Sequence, residues 1–327
     1  MKNEKVVVTG AAGFIGGNLC AELLKRGYKV IGMDNLSQGT AVNVREFKSD
    51  KNFRFIKADV RDGKKILSAS KGARYIVHLA AYKIPRYESA MNTLLVNALG
   101  TKNALDAAVK NKCKLVFAST SDVYGKNPEL PFSEESNLVL GPSNVKRWAY
   151  ASSKIFDEHM CFAYGMDKKL KFTIVRYFGS YGPKQNLTWW GGPQGVFAEA
   201  IFNNKKLPIH GDGKQTRCFS YISDTVEGTL RAMESEKANA EIFNIGGKEE
   251  ISILRLAKLM HKISGSANPF NIEFVPYERF GKYEDVMRRV PNTSKAQRIL
   301  GFKSEVPLRK GIKLFLEWYK RGKGIKE

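Results

Sequence analysis

The chain has 327 residues, with 54 Lys and Arg against 32 Asp and Glu and a hydrophobic fraction of 43%. That length can bury a sizeable core as one large domain or two modest ones, and the apolar fraction is ordinary for a globular protein. No uninterrupted apolar stretch reaches the about 18 residues of a membrane span, so a cytoplasmic protein with no membrane partner is expected.

The net charge of +22 raises nucleic acid as a partner, yet Lys and Arg are spread among acids and no basic-plus-aromatic motif stands out. Met1 to Lys5 imitates the start of a signal peptide, but Gly10, Gly13 and Gly16 interrupt the apolar run behind it. Cys20, Cys113, Cys161 and Cys218 show no Cys-x-x-Cys spacing, and His78, His159, His210 and His261 form no pair at ligand spacing. No metal site or disulfide framework is expected.

The first element, Val6-Val7-Val8-Thr9, feeds the turn Gly10-Ala11-Ala12-Gly13, then a helical apolar spacing (Phe14, Ile15, Leu19, Leu23), then a second apolar strand ending at Asp34. Strand, glycine turn, helix and acid-tipped strand make a βαβ unit suited to a dinucleotide. Gly10 permits the tight turn, Gly13 lets the backbone approach a pyrophosphate, and Gly16 lets the helix lie close to the sheet. The free N–H groups of that helix start face the phosphates. Asp34 accepts hydrogen bonds from ribose hydroxyls and repels a 2′-phosphate, and no Arg follows it, which predicts NAD over NADP.

A third strand, 53–58, leads to Asp59 and Val60; Asp59 reads either as an adenine contact or as a helix cap. A fourth, 74–81, ends in Ala80 and Ala81, with Lys83 just beyond at the carboxyl edge of the sheet. A helix over 93–110 carries Asn97. A fifth strand, 114–118, runs into Ser119-Thr120-Ser121-Asp122, and a sixth spans 172–177. Beyond it come a Gly-, Pro- and Trp-rich stretch (179–195), a helix over 196–203 and a strand over 207–210. An extended run over 217–222, a helix over 224–233 and a strand over 241–245 follow. The expected fold is α/β: a Rossmann doubly wound parallel sheet over 1–178 with a returning strand near 241–245. A smaller interleaved C-terminal substrate-binding region, 179–327, covers a cleft.

Tyr150 and Lys154 lie four apart on a helical pattern, hence one turn apart on one face. An ammonium beside a phenol lowers its pKa, and an oxidised nicotinamide pushes the same way, which predicts a general base near neutral pH.

With these landmarks in order, the chain resembles an extended short-chain dehydrogenase/reductase of the nucleotide-sugar epimerase/dehydratase group. They are Thr9 to Gly16, Asp34-Asn35-Leu36-Ser37, Asp59-Val60, His78 to Ala81, Ser119 to Gly125, Tyr150 with Lys154, and Gln215-Thr216-Arg217. The resemblance implies that Tyr150 takes a proton from a sugar hydroxyl, usually at C4, as hydride passes to NAD. Thr120 bonds the same oxygen, and Lys154 also holds the nicotinamide ribose. The same likeness places Phe14, Ile15, Asn35, Val60, Ala80, Ala81, Ser119 and Tyr177 around the cofactor. Lys83 matches a cofactor-contacting Lys and also faces substrate, and Asn97 supports the active-site helix beside the cofactor. Arg217 and Arg288 resemble arginines that clamp the substrate diphosphate, a task suited to a guanidinium fork, with exposed surface arginines as the rival reading. Relatives imply a homodimer through two helices per subunit.

Two departures matter. The run Arg176-Tyr177-Phe178-Gly179 lacks the Asn many relatives use for the diphosphate-sugar, which leaves Asn186 or Gln194 as candidates. Ser121-Asp122 also lacks the Asp-Glu pair of 4,6-dehydratases. Thr120 to Gly125 is instead similar to the Thr-Ser-Glu-Val-Tyr-Gly of UDP-glucuronate decarboxylases, with Asp for Glu. Asp122 is thus either a substrate-facing acid set back by a methylene or a structural loop residue. Trp189 and Trp190 either stack on a sugar or base or pack against the neighbouring region.

The reading favoured is an NAD-dependent nucleotide-sugar 4-epimerase on a UDP-sugar, working through a transient 4-keto sugar. A UDP-glucuronate decarboxylase is the alternative within the family. A non-catalytic NAD-binding regulator with a basic nucleic-acid surface is the alternative from another class.

Overall fold

The computed structural model describes residues 3–83 and 89–325. Its first half alternates β1 (Lys5–Thr9), α1 (Phe14–Lys25), β2 (Lys29–Asp34), β3 (Phe53–Lys57), α2 (Gly63–Ala69), β4 (Tyr75–His78), α3 (Ala90–Asn111), β5 (Lys114–Thr120), α4 (Trp148–Lys168) and β6 (Phe172–Tyr177). The strands β4, β5 and β6 are buried along their whole length, as strands covered on both faces must be. The second half contains β7 (Ser180–Tyr181), α5 (Pro193–Phe202), β8 (Leu207–His210), β9 (Thr216–Cys218), β10 (Ser220–Tyr221), α6 (Ile222–Glu234) and β11 (Glu241–Ile245). It continues with β12 (Glu250–Ser252), α7 (Ile253–Ser264), β13 (Ile272–Val275), β14 (Arg288–Arg289), α8 (Ser294–Leu300) and α9 (Leu308–Lys323).

The main sheet has seven strands in the order β11-β6-β5-β4-β1-β2-β3, and every neighbouring pair is parallel. This is the doubly wound Rossmann arrangement. On one face Leu19 and Leu23 of α1 and Val226 and Leu230 of α6 share a core with Val6 and Val8. On the other, Ala104 and Leu105 of α3 and Cys161 of α4 pack on Ile76, Leu115 and Phe117. A separate core joins Phe197 of α5, Leu256 and Met260 of α7, and Ile312 and Phe315 of α9. The chain leaves β1 and β4 towards opposite faces, which opens a crevice at their carboxyl ends.

Two strand ends differ from the sequence reading, and both shape that crevice. β4 stops at His78 rather than running to Ala81, because its neighbour β1 ends at Thr9 and Gly10 turns away with φ +72°. β5 continues past Ala118 to Thr120 because β6 runs beside it, pairing Thr120 with Tyr177. The hydroxyl cluster is therefore held by the sheet itself.

Candidate active site

The carboxyl ends of β1, β2, β4 and β5 border a cleft of about 480 Å³. On its cofactor side the turn is built by steric necessity. A Cβ at Gly16 would stand 2.0 Å from the Gly10 carbonyl oxygen, and one at Gly10 would meet Ala80 N at 2.9 Å. The cradle thus admits only backbone, and a pyrophosphate fits against the open start of α1. Phe14, Ile15, Asn35, Val60, Ala80 and Ala81 all line the cleft. Asp34 lines it too, its carboxylate accepting from Ala12 N at 3.0 Å and Leu36 N at 2.8 Å; burial raises its pKa against those two bonds.

Four residues expected at the cofactor either sit behind the cleft wall or line it with their hydroxyls bound elsewhere. Asp59 is gripped by Arg61 and by Asn35, whose amide donates at 3.0 Å, and its pKa falls to about 2. Asn97 is buried and ties the Tyr82 backbone to the Ser153 hydroxyl, 2.9 Å away. It supports α4 and lies outside the cleft lining. Ser119 lines the cleft, but its hydroxyl donates to Glu158. Tyr177 lines it as well, and its hydroxyl pairs with Thr229 at 2.7 Å.

Thr120 ends β5, Tyr150 lies in the first turn of α4, and Lys154 follows one turn later; all three line the cleft. The Lys154 ammonium donates to the Ala118 carbonyl at 2.8 Å and lies 4.4 Å from the Phe117 ring centroid. Burial pushes the Tyr150 pKa well up and the Asp122 and Asp157 charges add to it, against Thr120 and Arg289.

The other wall is a set of charges drawn from distant positions. Asp122 meets Arg147 at 3.1 Å and Arg289 at 2.9 Å, while Asp285 meets Arg217 at 3.1 Å and Arg147 at 3.4 Å. Burial pushes Asp122 upward, but Arg289, Arg147 and Arg217 outweigh it and hold the carboxyl below its ordinary range. Burial and the Arg289 charge bring Arg217 down to about 10. Lys83, also on the cleft wall, is lowered by its enclosure, with Asp122 acting the other way.

Arg288 does not join this wall. Successive residues of a strand point to opposite faces, so Arg288 turns outward to Glu250, at 2.8 Å and 2.9 Å, and Arg289 takes the inward place. Asn186 lines the cleft with its carbonyl oxygen bound to Thr188. Gln194 is buried in α5 and lies outside the lining. Trp189 and Trp190 divide the two readings between them. Trp189 stacks on His210, with centroids 4.0 Å apart, and Trp190 meets Tyr82 edge-on at 6.3 Å, while both also face the cleft. Sequence reasoning missed Arg289 and Tyr283, which line the cleft, and Asp285, which with Arg217 lines the adjoining pocket, and did not single out Arg147. Only Arg147 carried a local signal, three residues before Tyr150 at the start of the same helix.

A family model described as GDP-mannose 4,6 dehydratase matches residues 7–315. The chain belongs to this family of extended short-chain dehydrogenases/reductases, the NAD-dependent nucleotide-sugar epimerases and dehydratases. Among this family's curated members, the UDP-N-acetyl-alpha-D-glucosaminuronate decarboxylase of Bacillus cytotoxicus is 36% identical over 321 residues, 97% of this chain and 98% of that protein. The UDP-glucuronic acid 4-epimerase of Bacillus cereus, solved in complex with UDP-glucuronic acid and NAD, is 30% identical with a TM-score of 0.87, covering 97% of this chain and 99% of that one. The UDP-glucose 4-epimerase of Thermotoga maritima, solved with UDP-glucose, is 28% identical with a TM-score of 0.87 over the same shares. This extended short-chain dehydrogenase/reductase is an enzyme acting on nucleotide sugars. Among the described residues no helix is long and apolar enough to cross a membrane.

Proposed function

We propose that the protein is an NAD-dependent UDP-uronate decarboxylase. The observation that carries this reading is the cationic wall beside the reacting hydroxyls: Arg147, Arg289 and Lys83 line the cleft that Thr120 and Tyr150 enter. A uronate carboxylate offers those charges a partner besides Asp122, which a neutral hexose does not. The Bacillus cytotoxicus decarboxylase, similar over nearly its whole length, supports the same choice.

NAD bound in the glycine cradle supplies the hydride acceptor for C4. The Tyr150 phenolate takes the C4 hydroxyl proton, and Thr120 holds that oxygen. The resulting β-keto acid breaks its C5–C6 bond; carbon dioxide leaves, and the electron pair spreads from C5 onto the C4 oxygen, where Thr120 and Tyr150 donate hydrogen bonds. C5 then takes a proton from water, and Tyr150 returns its proton to the C4 oxygen as the reduced cofactor would give hydride back to C4. Asp122 competes with the substrate carboxylate for Arg147 and Arg289, so the leaving group is oriented without being held as a tight ion pair.

A second reading, the 4-epimerase, is favoured by a different observation. Two guanidinium groups hold the Asp122 carboxylate, which restrains it from acting at C5 or C6. Incubation with UDP-glucuronate and UDP-N-acetylglucosaminuronate decides between them. Carbon dioxide and a UDP-pentose seen by NMR support decarboxylation; a UDP-uronate inverted at C4 with no gas released replaces it. Convergence of Thr120, Tyr150 and Lys154 on one cleft speaks for catalysis over a binding-only regulator. A homodimer is proposed with this activity, since Met91, Leu95 and Leu99 form an exposed apolar stripe on α3 beside Phe156 of α4. Light scattering at twice the mass of the 36.7 kDa chain tests it.

A further inference from the structure

Behind Lys154 on α4 stand two carboxylates, and they are used differently. Glu158 is fully engaged: Arg176 donates to it at 2.9 Å and 2.6 Å, and the Ser119 hydroxyl donates as well. Asp157 is completely buried, and neither of its oxygens has a hydrogen-bond partner among the described residues. A carboxylate in that position is costly unless a cation shares its surroundings. The cation on its own helix face is Lys154, three residues earlier and itself 1% exposed.

Among the described residues, the charges that act on Asp157 are those of Lys154 and Glu158, with the Thr101 hydroxyl of α3 beside them. Thr101 Oγ1 and, on β4, His78 Nε2 are both buried without a partner among the described residues. His78 stacks on Phe117 of β5, at 6.2 Å between centroids, the same ring that carries the Lys154 ammonium. Thr9 Oγ1 accepts from Ala80 N at 3.3 Å and pairs with His78 Nδ1 at 2.7 Å. Burial, helped by Lys154, lowers His78 to about 3, and burial raises the Cys161 thiol, so both stay neutral. Asp157 itself is raised by burial to about 6, with Lys154 and Thr101 acting against the rise and Glu158 adding to it. Burial lowers Lys154, and the first group to oppose that is Asp157.

We propose that Asp157 is a positioning residue whose buried carboxylate is the counter-charge keeping Lys154 an ammonium beneath Tyr150. This rests on Tyr150 being the base of the reaction proposed above. Asp157 lies outside the cleft lining; it acts by fixing the charge of the lysine, and the lysine in turn favours the phenolate.

The sign of one titration decides the matter. Tyrosinate absorbance of the NAD complex, recorded against pH as wild type minus Tyr150→Phe, reads ionisation of that phenol without turnover. In Asp157→Asn, an isosteric change, the step moves to higher pH by about one unit or more, because Lys154 loses its charge. Asp157→Glu, which keeps the carboxylate, titrates close to wild type. If Lys154 holds its charge without Asp157, removing the negative carboxylate shifts the step to lower pH, so an unchanged or lower-pH step overturns the proposal. A Glu variant titrating like the Asn variant overturns it too. Absence of any Tyr150 step in the wild type rejects the base assignment itself, a different failure.

Discussion

The two walls of the cleft are built on opposite principles. The cofactor wall is local and made mostly of backbone: Gly10, Gly13 and Gly16 sit within one turn, and Asp34 is fixed by the amides of Ala12 and Leu36. The substrate wall is non-local and made of side chains, with Arg147, Arg217 and Arg289 meeting Asp122 and Asp285 from four separate segments. A backbone cradle tolerates almost no added atom but varies little, whereas a wall of ion pairs can be rewired by single substitutions. The first suits a cofactor common to a family and the second a substrate that differs among its members.

Substitutions sharpen this contrast, and the largest effect belongs where the walls meet. Tyr150→Phe is expected to lower kcat by about 10³-fold with KM nearly unchanged, measured by steady-state kinetics on UDP-glucuronate. On the cofactor wall, Gly16→Ala forces a Cβ against the Gly10 carbonyl and is expected to abolish NAD retention, read from the absorbance of the purified protein after reduction. A Gly16→Ala protein that still carries NAD would break the steric account of that wall. On the substrate wall, Arg289→Ala leaves the Asp122 charge with one guanidinium fewer and is expected to cost about 2 to 5 kcal/mol of substrate binding by calorimetry.

A pH series addresses the same wall. Asp122 and Asp285 are both held below their ordinary range, Asp285 against the upward push of burial by Arg217 and Arg147. Groups with depressed folded-state pKa values stabilise fully above the unfolded value of about 4 and lose that contribution as pH falls through the folded one. Melting temperature should therefore drop on acidification below about pH 5, and less steeply in Asp285→Asn. Smallest of all is Arg288→Ala: Arg288 is exposed, and loss of its solvent-screened pair with Glu250 is expected to leave both the melting temperature and KM nearly unchanged. A KM change in Arg288→Ala equal to that of Arg289→Ala would erase the distinction between the two faces of β14.

What could be read from the amino-acid order follows from range. The glycine spacing, the run into Asp34, the Thr120 cluster and the Tyr150 to Lys154 step are each contained within a few residues. Their geometry is set by turn, helix or strand periods that a sequence displays directly. Arg288 shows where that ends. Periodicity reveals that Arg288 and Arg289 face opposite ways but not which way is inward, because the inward side is set by pairing of β14 with β9, 72 residues earlier, with Arg288 opposite Thr216 and Arg289 opposite Arg217. Gln194 and Asn97 were legible as polar residues near the right segments, and burial alone sends both behind the wall.

By itself, then, the order of residues determined the βαβ cradle, the parallel sheet and the Thr120, Tyr150 and Lys154 constellation, because local backbone geometry and helix period suffice for each. Only the tertiary structure decided which arginines meet Asp122 and Asp285, and that Asp157, with no hydrogen-bond partner among the described residues, lies behind Lys154. Those facts depend on which faces of distant elements are pressed together and closed to water, and burial is a property of the whole packed chain.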